Sequence, residues 1–384
     1  MTEKAKKWLD TISDKKTAME VDLLKRAIEN LESNIYSSGD YPWSPYICIS
    51  PAKGCYDGIW NWDSAFHAVG LSYWDVELAK DSILGYIQFQ RDSGIYPDVI
   101  WETGDVVDEF TKPPVFPWAA KIIYEHDGDI EFIKKVYPSF VKNEEFWTKK
   151  RNNGGLFFYY TEDDKSEMHH KNAKLESGWD DSVRWDNSAA DLWTIDLNCF
   201  MVTFYHSMKF FAKILGYEED LVLWKEKEEK LSRLINEKLW DDKQKSYVDV
   251  NRFTGAASTV LSPASFMPLF TEIAPVDKAE YMNALAADDN KFHSGMPTVA
   301  YDNPEYSKTF WRGPTWLNTA YFAAKGLKNY GFETADEIKN TVLAWVDKEK
   351  TGIFENYDSK TGDGLCAPNF SWSSVFVIEF ICEF

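Results

Sequence analysis

Two carboxyl groups in unusual company pose the first question. Asp180 sits in the run Glu176-Ser177-Gly178-Trp179-Asp180-Asp181-Ser182-Val183-Arg184-Trp185-Asp186, and Glu355 sits in Phe354-Glu355-Asn356-Tyr357-Asp358. A carboxyl held among aromatic rings loses hydration, which raises its pKa and suits it to proton transfer near neutral pH. Two such groups on separate segments suit the acid and base roles in cleaving a glycosidic bond. The bland reading of the first run is a solvated acidic turn, yet such turns seldom carry two tryptophans. Asp180 and Asp181 are adjacent like charges, so at least one needs a partner or a shifted pKa, and Arg184 is available as that partner.

Two further clusters have the same character. Trp60-Asn61-Trp62-Asp63 opens a helical run. It reads either as a carboxylate favoured by a helix N-terminus among core tryptophans, or as an aromatic wall with a carboxylate for sugar hydroxyls. Phe310-Trp311-Arg312-Gly313-Pro314-Thr315-Trp316 offers either a stacking and hydrogen-bonding surface or a structural cation–π pair.

Other chemistries lack support. The six histidines show no HExxH or thiol–histidine spacing, so no metal is expected. Neither GxGxxG, a phosphate-binding lysine loop nor GxSxG occurs, so no organic cofactor is expected. The pair His169-His170 reads as a surface loop. A net charge of −20 argues against nucleic acid and anionic membranes as partners. The five scattered cysteines read as reduced thiols, and the first residues lack a secretory pattern, so a cytoplasmic location is expected. The remaining partner is a small carbohydrate; oligomeric state is not readable.

The elements that must position these clusters are helices. Apolar periodicity predicts them over 18–35, 62–74, 76–93, 115–126, 129–150 and 187–215, then 219–240, 262–273, 277–288, 314–330, 334–349 and 371–383. Asp75, Asp129 and Thr334 are candidate N-caps; Gly94, Gly216 and Gly331 are candidate C-caps. About twelve helices without strand alternation leave an irregular solenoid or hairpins closed into a ring. Helices apolar over a wide arc, as in 189–215, favour the inner layer of a two-layer toroid. The long connections 36–61, 94–114, 151–186, 241–261, 289–313 and 350–370 hold most of the unusual clusters, where binding and chemistry are usually placed.

The motifs WNWDSAF, ESGWDDSVRW, GMPTVAYDNPEY with FWRGPTW, and FENYDSKTG with APNFSW together resemble glycoside hydrolase family 63, whose clan includes the family 37 trehalases. The resemblance runs from about residue 40 to the C-terminus. It implies an all-α (α/α)6 barrel, a toroid of about twelve helices with its active site in long loops at one end, and an inverting mechanism. It implies Asp180 as general acid and Glu355 as general base. Asp63 matches an acidic residue that binds the non-reducing sugar; Trp311, Arg312 and Trp316 match the pocket-lining loop, and Trp372 an aromatic near the base. With only about 40 residues before the first motif, the chain is similar to the compact bacterial type of mannosylglycerate and glucosylglycerate hydrolases. The expectation is thus one catalytic domain, 1–384, with 1–17 an extension or first helix.

The function expected is an exo-acting, inverting α-glycosidase removing a terminal α-glucosyl or α-mannosyl residue. Trp60, Trp62, Asp63, Lys112, Trp179, Trp311, Arg312, Trp316 and Trp372 are the expected sugar-binding residues. A sugar epimerase using His67 and His293, or a non-catalytic sugar-binding protein, is the alternative.

Overall fold

In the computed structural model the described residues are 1–37, 39–160, 167–186 and 189–384. Fourteen helices occur among them. In chain order they are α1 (Glu3–Ser13), α2 (Ala18–Ser33), α3 (Asn61–Leu71), α4 (Val76–Ile87), α5 (Phe116–Asp127), α6 (Ile130–Lys150) and α7 (Glu167–Ser177). Then come α8 (Ile195–Leu215), α9 (Glu218–Lys238), α10 (Met267–Phe270), α11 (Val276–Ala286), α12 (Leu317–Asn329), α13 (Thr334–Lys348) and α14 (Ser371–Cys382). A 3-10 turn, Pro263–Phe266, leads into the short α10.

Twelve of these helices build the barrel. Around the inside, α3 packs on α5, α5 on α8, α8 on α10, α10 on α12, α12 on α14, and α14 returns to α3. That closed circuit decides between ring and solenoid. The inner helices have the wide apolar arc such a position demands: every residue of α3 is buried, and α14 is buried from Ser371 to Ile381. Each is preceded in the chain by an outer partner, α2, α4, α6, α9, α11 and α13. The outer helices bury narrower stripes; α9 buries only Trp224, Leu231 and Ile235.

The connections sort by direction. Those leaving an inner helix are short, such as 72–75, 128–129, 216–217 and 330–333. Those entering an inner helix are the long ones, so the described parts of all six long loops gather at the N-terminal end of the inner ring. Three strands stiffen two of them: β1 (Gly58–Trp60), β2 (Val99–Trp101) and β3 (Val106–Val107) form an antiparallel sheet, with Trp60 opposite Val99.

Some local expectations need correction. Asp75 and Asp129 do cap α4 and α6, and Gly216 ends α8 at φ +74. Thr334 is instead the first helical residue after Glu333. Gly94 lies in a turn beyond α4, which ends at Ile87; the turn is held against α6 by the Asn143 amide, which donates to the Gly94 carbonyl at 2.9 Å. His169 and His170, read as a loop, fall within α7. The helix expected from 187 starts in residues outside those described; α8 itself begins at Ile195, after the two-residue strand Leu192–Trp193.

Candidate active site

The four motifs meet at the loop end of the barrel. Asp63, Asp180 and Glu355 line one cavity of about 160 Å³, together with Trp60, Trp62, Trp311, Trp316, Trp372 and Lys112. A larger cavity of about 460 Å³, lined by residues of α5, α8, α12 and α14, contains none of these residues. Size does not choose between them; the convergence of carboxyls and indoles favours the first.

Each acidic group is placed by local structure. Asp63 lies in the first turn of α3, where the helix N-terminus favours its negative charge. Its burial is nearly complete, at 3% exposure, and desolvation pushes it up to about 8 despite Lys112 nearby. Asp180 follows Gly178, whose φ of +75 turns the chain under the Trp62 indole; a β-carbon there would overlap that ring. Burial raises Asp180 to about 6, with Lys112 opposing the shift and Asp98 and Asp181 adding to it. Glu355 is 3% exposed and rises to about 7, mainly by burial, with the Asp180 charge contributing.

Glu355 is held from two sides. The Tyr56 O–H lies 3.1 and 3.2 Å from its two carboxylate oxygens, and the Ala367 N–H donates to Oε2 at 3.2 Å. The backbone beside it pairs with the loop before α12: Thr315 and Tyr357 exchange hydrogen bonds at 2.8 and 2.9 Å. Asp181 faces away from the cavity. Its Oδ1 accepts the backbone N–H of Trp311 at 2.8 Å, which ties the Asp180 segment to the aromatic loop. The adjacent carboxylates therefore have separate settings, one beside Lys112 and the other beside Arg312.

Arg184 is not their partner. It is buried, with paired hydrogen bonds to Asp196 at 2.7 and 3.0 Å and to Asp249 at 2.9 Å each, and it stacks on Trp179 and Trp185. Its planar fork matches two carboxylates that would otherwise be buried without counter-charge.

The tryptophans form a connected wall. Trp311 and Trp316 stack at 3.8 Å with an 8° interplanar angle; Trp316 meets Trp372, which meets Trp62 edge-on. Trp60 stands edge-on between Tyr56 and Trp101. Trp179 lies behind the wall, stacked on the back of Trp311. Arg312 is also outside the cavity lining; it clamps two loops through Asp186 at 2.7 and 2.8 Å and the Asp181 carbonyl at 3.1 Å.

Sequence reasoning missed Tyr56, Asp98, Phe310 and Phe370, which also line the cavity. Asp98 sits beside β2 and forms an ion pair with Lys112 Nζ at 2.9 Å. Only its place before an apolar strand, Pro97-Asp98-Val99-Ile100, marks it in the sequence. Tyr56 stands four residues before Trp60, and that closeness to an aromatic motif is the one signal it carries. The histidines lie elsewhere. His67 is buried against Ser371 with its pKa lowered to about 3 by desolvation, and His293 pairs with Asp289 and Glu337. Among the described residues no group of histidine, cysteine and acidic side chains could hold a metal ion.

A closed double ring of helices with aromatic-walled carboxyls at one end defines the class: a glycosidase of the (α/α)6 barrel type. The profile described as the mannosylglycerate hydrolase MGH1-like glycoside hydrolase domain matches residues 56–373, and the chain belongs to that family. The chain is 23% identical over 314 residues to a mannosylglycerate hydrolase of Rubrobacter radiotolerans, covering 78% of this chain and 65% of that protein, just under two thirds of its length. It is 24% identical over 403 residues to a mannosylglycerate hydrolase of Thermus thermophilus, covering 85% of this chain and 95% of that one. The crystal structure of a family 63 mannosylglycerate hydrolase from a second strain of Thermus thermophilus, in complex with Tris and D-glycerate, matches with a TM-score of 0.79 at 22% identity. That match covers 93% of this chain and 99% of the other.

Proposed function

We propose that this chain is an exo-acting, inverting α-glycosidase that removes a terminal α-glucosyl or α-mannosyl residue from a small glycoside or oligosaccharide. The observation that carries the reading is that Asp180 and Glu355 line one small aromatic cavity. Asp180 protonates the glycosidic oxygen as the bond breaks. Glu355 takes a proton from the water attacking the opposite face of the ring. Tyr56 holds the Glu355 carboxylate in one orientation. Asp63, beside Lys112, accepts hydrogen bonds from sugar hydroxyls, and Trp60, Trp62, Trp311, Trp316 and Trp372 cover the apolar faces of the ring. Trp179 and Arg312 contribute by supporting that wall. The cavity is well below the roughly 300–1,000 Å³ of ordinary ligand pockets, which suits one sugar ring and hence exo action.

The same reading treats residues 1–384 as one catalytic unit, with α1 docked through Trp8 against Tyr73 and Trp74. A cytoplasmic location fits five free cysteines, and no described helix is long and apolar enough to cross a membrane. The epimerase alternative needs histidines at the sugar, whereas His67 and His293 are absent from the described cavity lining.

Steady-state kinetics of Asp180→Asn and Glu355→Gln on a panel of α-glucosides and α-mannosides test the assignment. Each should lose about 10²–10⁴-fold in kcat with the fold intact. Near-normal turnover by either variant would remove that residue's role. Conversion to an isomer would instead favour the epimerase, and binding without turnover would favour the sugar-binding protein.

A further inference from the structure

The cavity of about 460 Å³ takes no part in the hydrolytic reading, although its size falls in the roughly 300–1,000 Å³ range of ordinary ligand pockets. Four aromatic side chains line it, Tyr73, Trp118, Phe270 and Tyr321. Glu379 lies between the two tyrosines, 3% exposed. Each of its carboxylate oxygens accepts one tyrosine hydroxyl at 2.9 Å. Each oxygen therefore keeps a lone pair for a further donor.

The charge of a matching ligand follows from three features of these walls. The first is the balance of side chains. Lys121 is paired with Glu125 at 2.6 Å, Lys325 with Glu383 at 3.3 Å, and Glu228 with Lys209 and His206. Those pairs leave Glu379 and the exposed Glu272 as the surplus among the described lining residues. Burial lowers the pKa of the His126 imidazole, so it adds no cation near neutral pH. The second is the backbone. Tyr73 follows α3, His126 lies in the last turn of α5, Asn329 closes α12 and Glu379 lies in the last turn of α14, so four inner helices end on the cavity. Helix C-termini carry negative partial charge and favour cations. The third is the set of rings, whose faces attract a cation.

We propose that this cavity is a second ligand site, fitted to a small organic ammonium ion. The ammonium N–H groups donate to Glu379, and the hydrocarbon part lies against the rings. Burial raises Glu379 to about 7, so near neutral pH it gives up its proton at small cost when a cation arrives. The cavity shares no lining residue with the catalytic one, so this site stands or falls apart from the hydrolytic reading.

Isothermal titration calorimetry of the full chain with n-butylammonium and with n-butanol, at matched ionic strength, tests the site, because the probes share a shape and differ in charge. Butylammonium should bind about tenfold or more tighter than butanol. Glu379→Gln should remove most of that preference. Glu272→Gln, at an exposed position where folding is not at stake, should weaken butylammonium about twofold or more and serves if Glu379→Gln fails to fold. Asp180→Asn should leave the affinity unchanged. Equal binding of the two probes, or binding of neither, overturns the proposal. So does a preference kept in both glutamate variants. A loss in Asp180→Asn with none in Glu379→Gln would put the ammonium in the catalytic cavity and overturn it as well.

Discussion

Tyr56 and Glu355 stand 299 positions apart in the chain, yet the Tyr56 phenolic O–H reaches both oxygens of the Glu355 carboxylate, at 3.1 and 3.2 Å. The first belongs to the loop entering α3 and the second to the loop entering α14. Because α14 packs on α3 in the closed ring, the two loops are neighbours. Barrel closure thus brings the proposed base and its positioning hydroxyl together.

That contact predicts a pH signature. Burial pushes Asp180 up to about 6 and Glu355 up to about 7. Below about 6 both groups hold protons, so no base is free. Above about 7 both have lost them, so no acid remains. The rate should be a bell between those limits, with the competent form, proton on Asp180, the minor arrangement of the singly protonated pair. Tyr56→Phe removes a hydrogen bond that favours ionised Glu355, so the alkaline limb should move upward and the maximum should fall. An unchanged profile in Tyr56→Phe would show that the contact does not tune the base.

Gly178→Ala should be costly out of proportion to one methyl group. The position has φ +75, and its added carbon would overlap Trp62. Relief requires moving either Trp62 or the Asp180 segment. A loss of about 1–3 kcal/mol in stability is expected, with a fall in kcat. Urea denaturation with parallel kinetics checks both, and a variant equal to wild type in both would mean the turn is not strained.

Arg184→Met should unfold more easily but leave the shape of the pH profile alone. It strips the counter-charge from buried Asp196 and Asp249, at a cost of about 3–5 kcal/mol. If the bell moved instead, Arg184 would be coupled to Asp180 after all.

Glu379 predicts a pH dependence of stability at the other end of the barrel. It is buried beside the 460 Å³ cavity, accepts hydrogen bonds from Tyr73 and Tyr321 at 2.9 Å each, and is pushed by desolvation from 4.5 up to about 7. Between those values the folded chain holds a proton that the unfolded chain lacks. The contribution is therefore full below about 4.5 and is lost as pH rises through 7, a change of about 3 kcal/mol. Asp63, Asp180 and Glu355 slope the same way. Unfolding free energies at several pH values should show a shallower fall in Glu379→Gln than in wild type; equal slopes would contradict the assignment.

The sequence and the structure divide unevenly as guides. The helices were legible because a barrel's inner and outer layers impose apolar arcs of different width, as α3 and α9 show. Clusters of tryptophan around Asp63, Asp180 and Glu355 were legible because solvated loops have little use for indoles. Partner choice was not. Arg184 lies near Asp180 in sequence, but folding sends it to Asp196 and Asp249, which no local spacing announces. Asp98 and Tyr56 were silent for a similar reason: each stands singly in its segment and gains meaning only when another loop is laid against it. The α7 helix was hidden by a mean composition too polar to show an apolar face.

The stereochemistry of the first product tests the central claim most directly. Proton NMR of an α-glycoside hydrolysed at high enzyme concentration, read before mutarotation, reports which anomer is released. The account predicts the β-anomer first, as one-step displacement by a water activated by Glu355 requires. Release of the α-anomer would contradict it, because retention requires a covalent intermediate that this pair of roles does not provide.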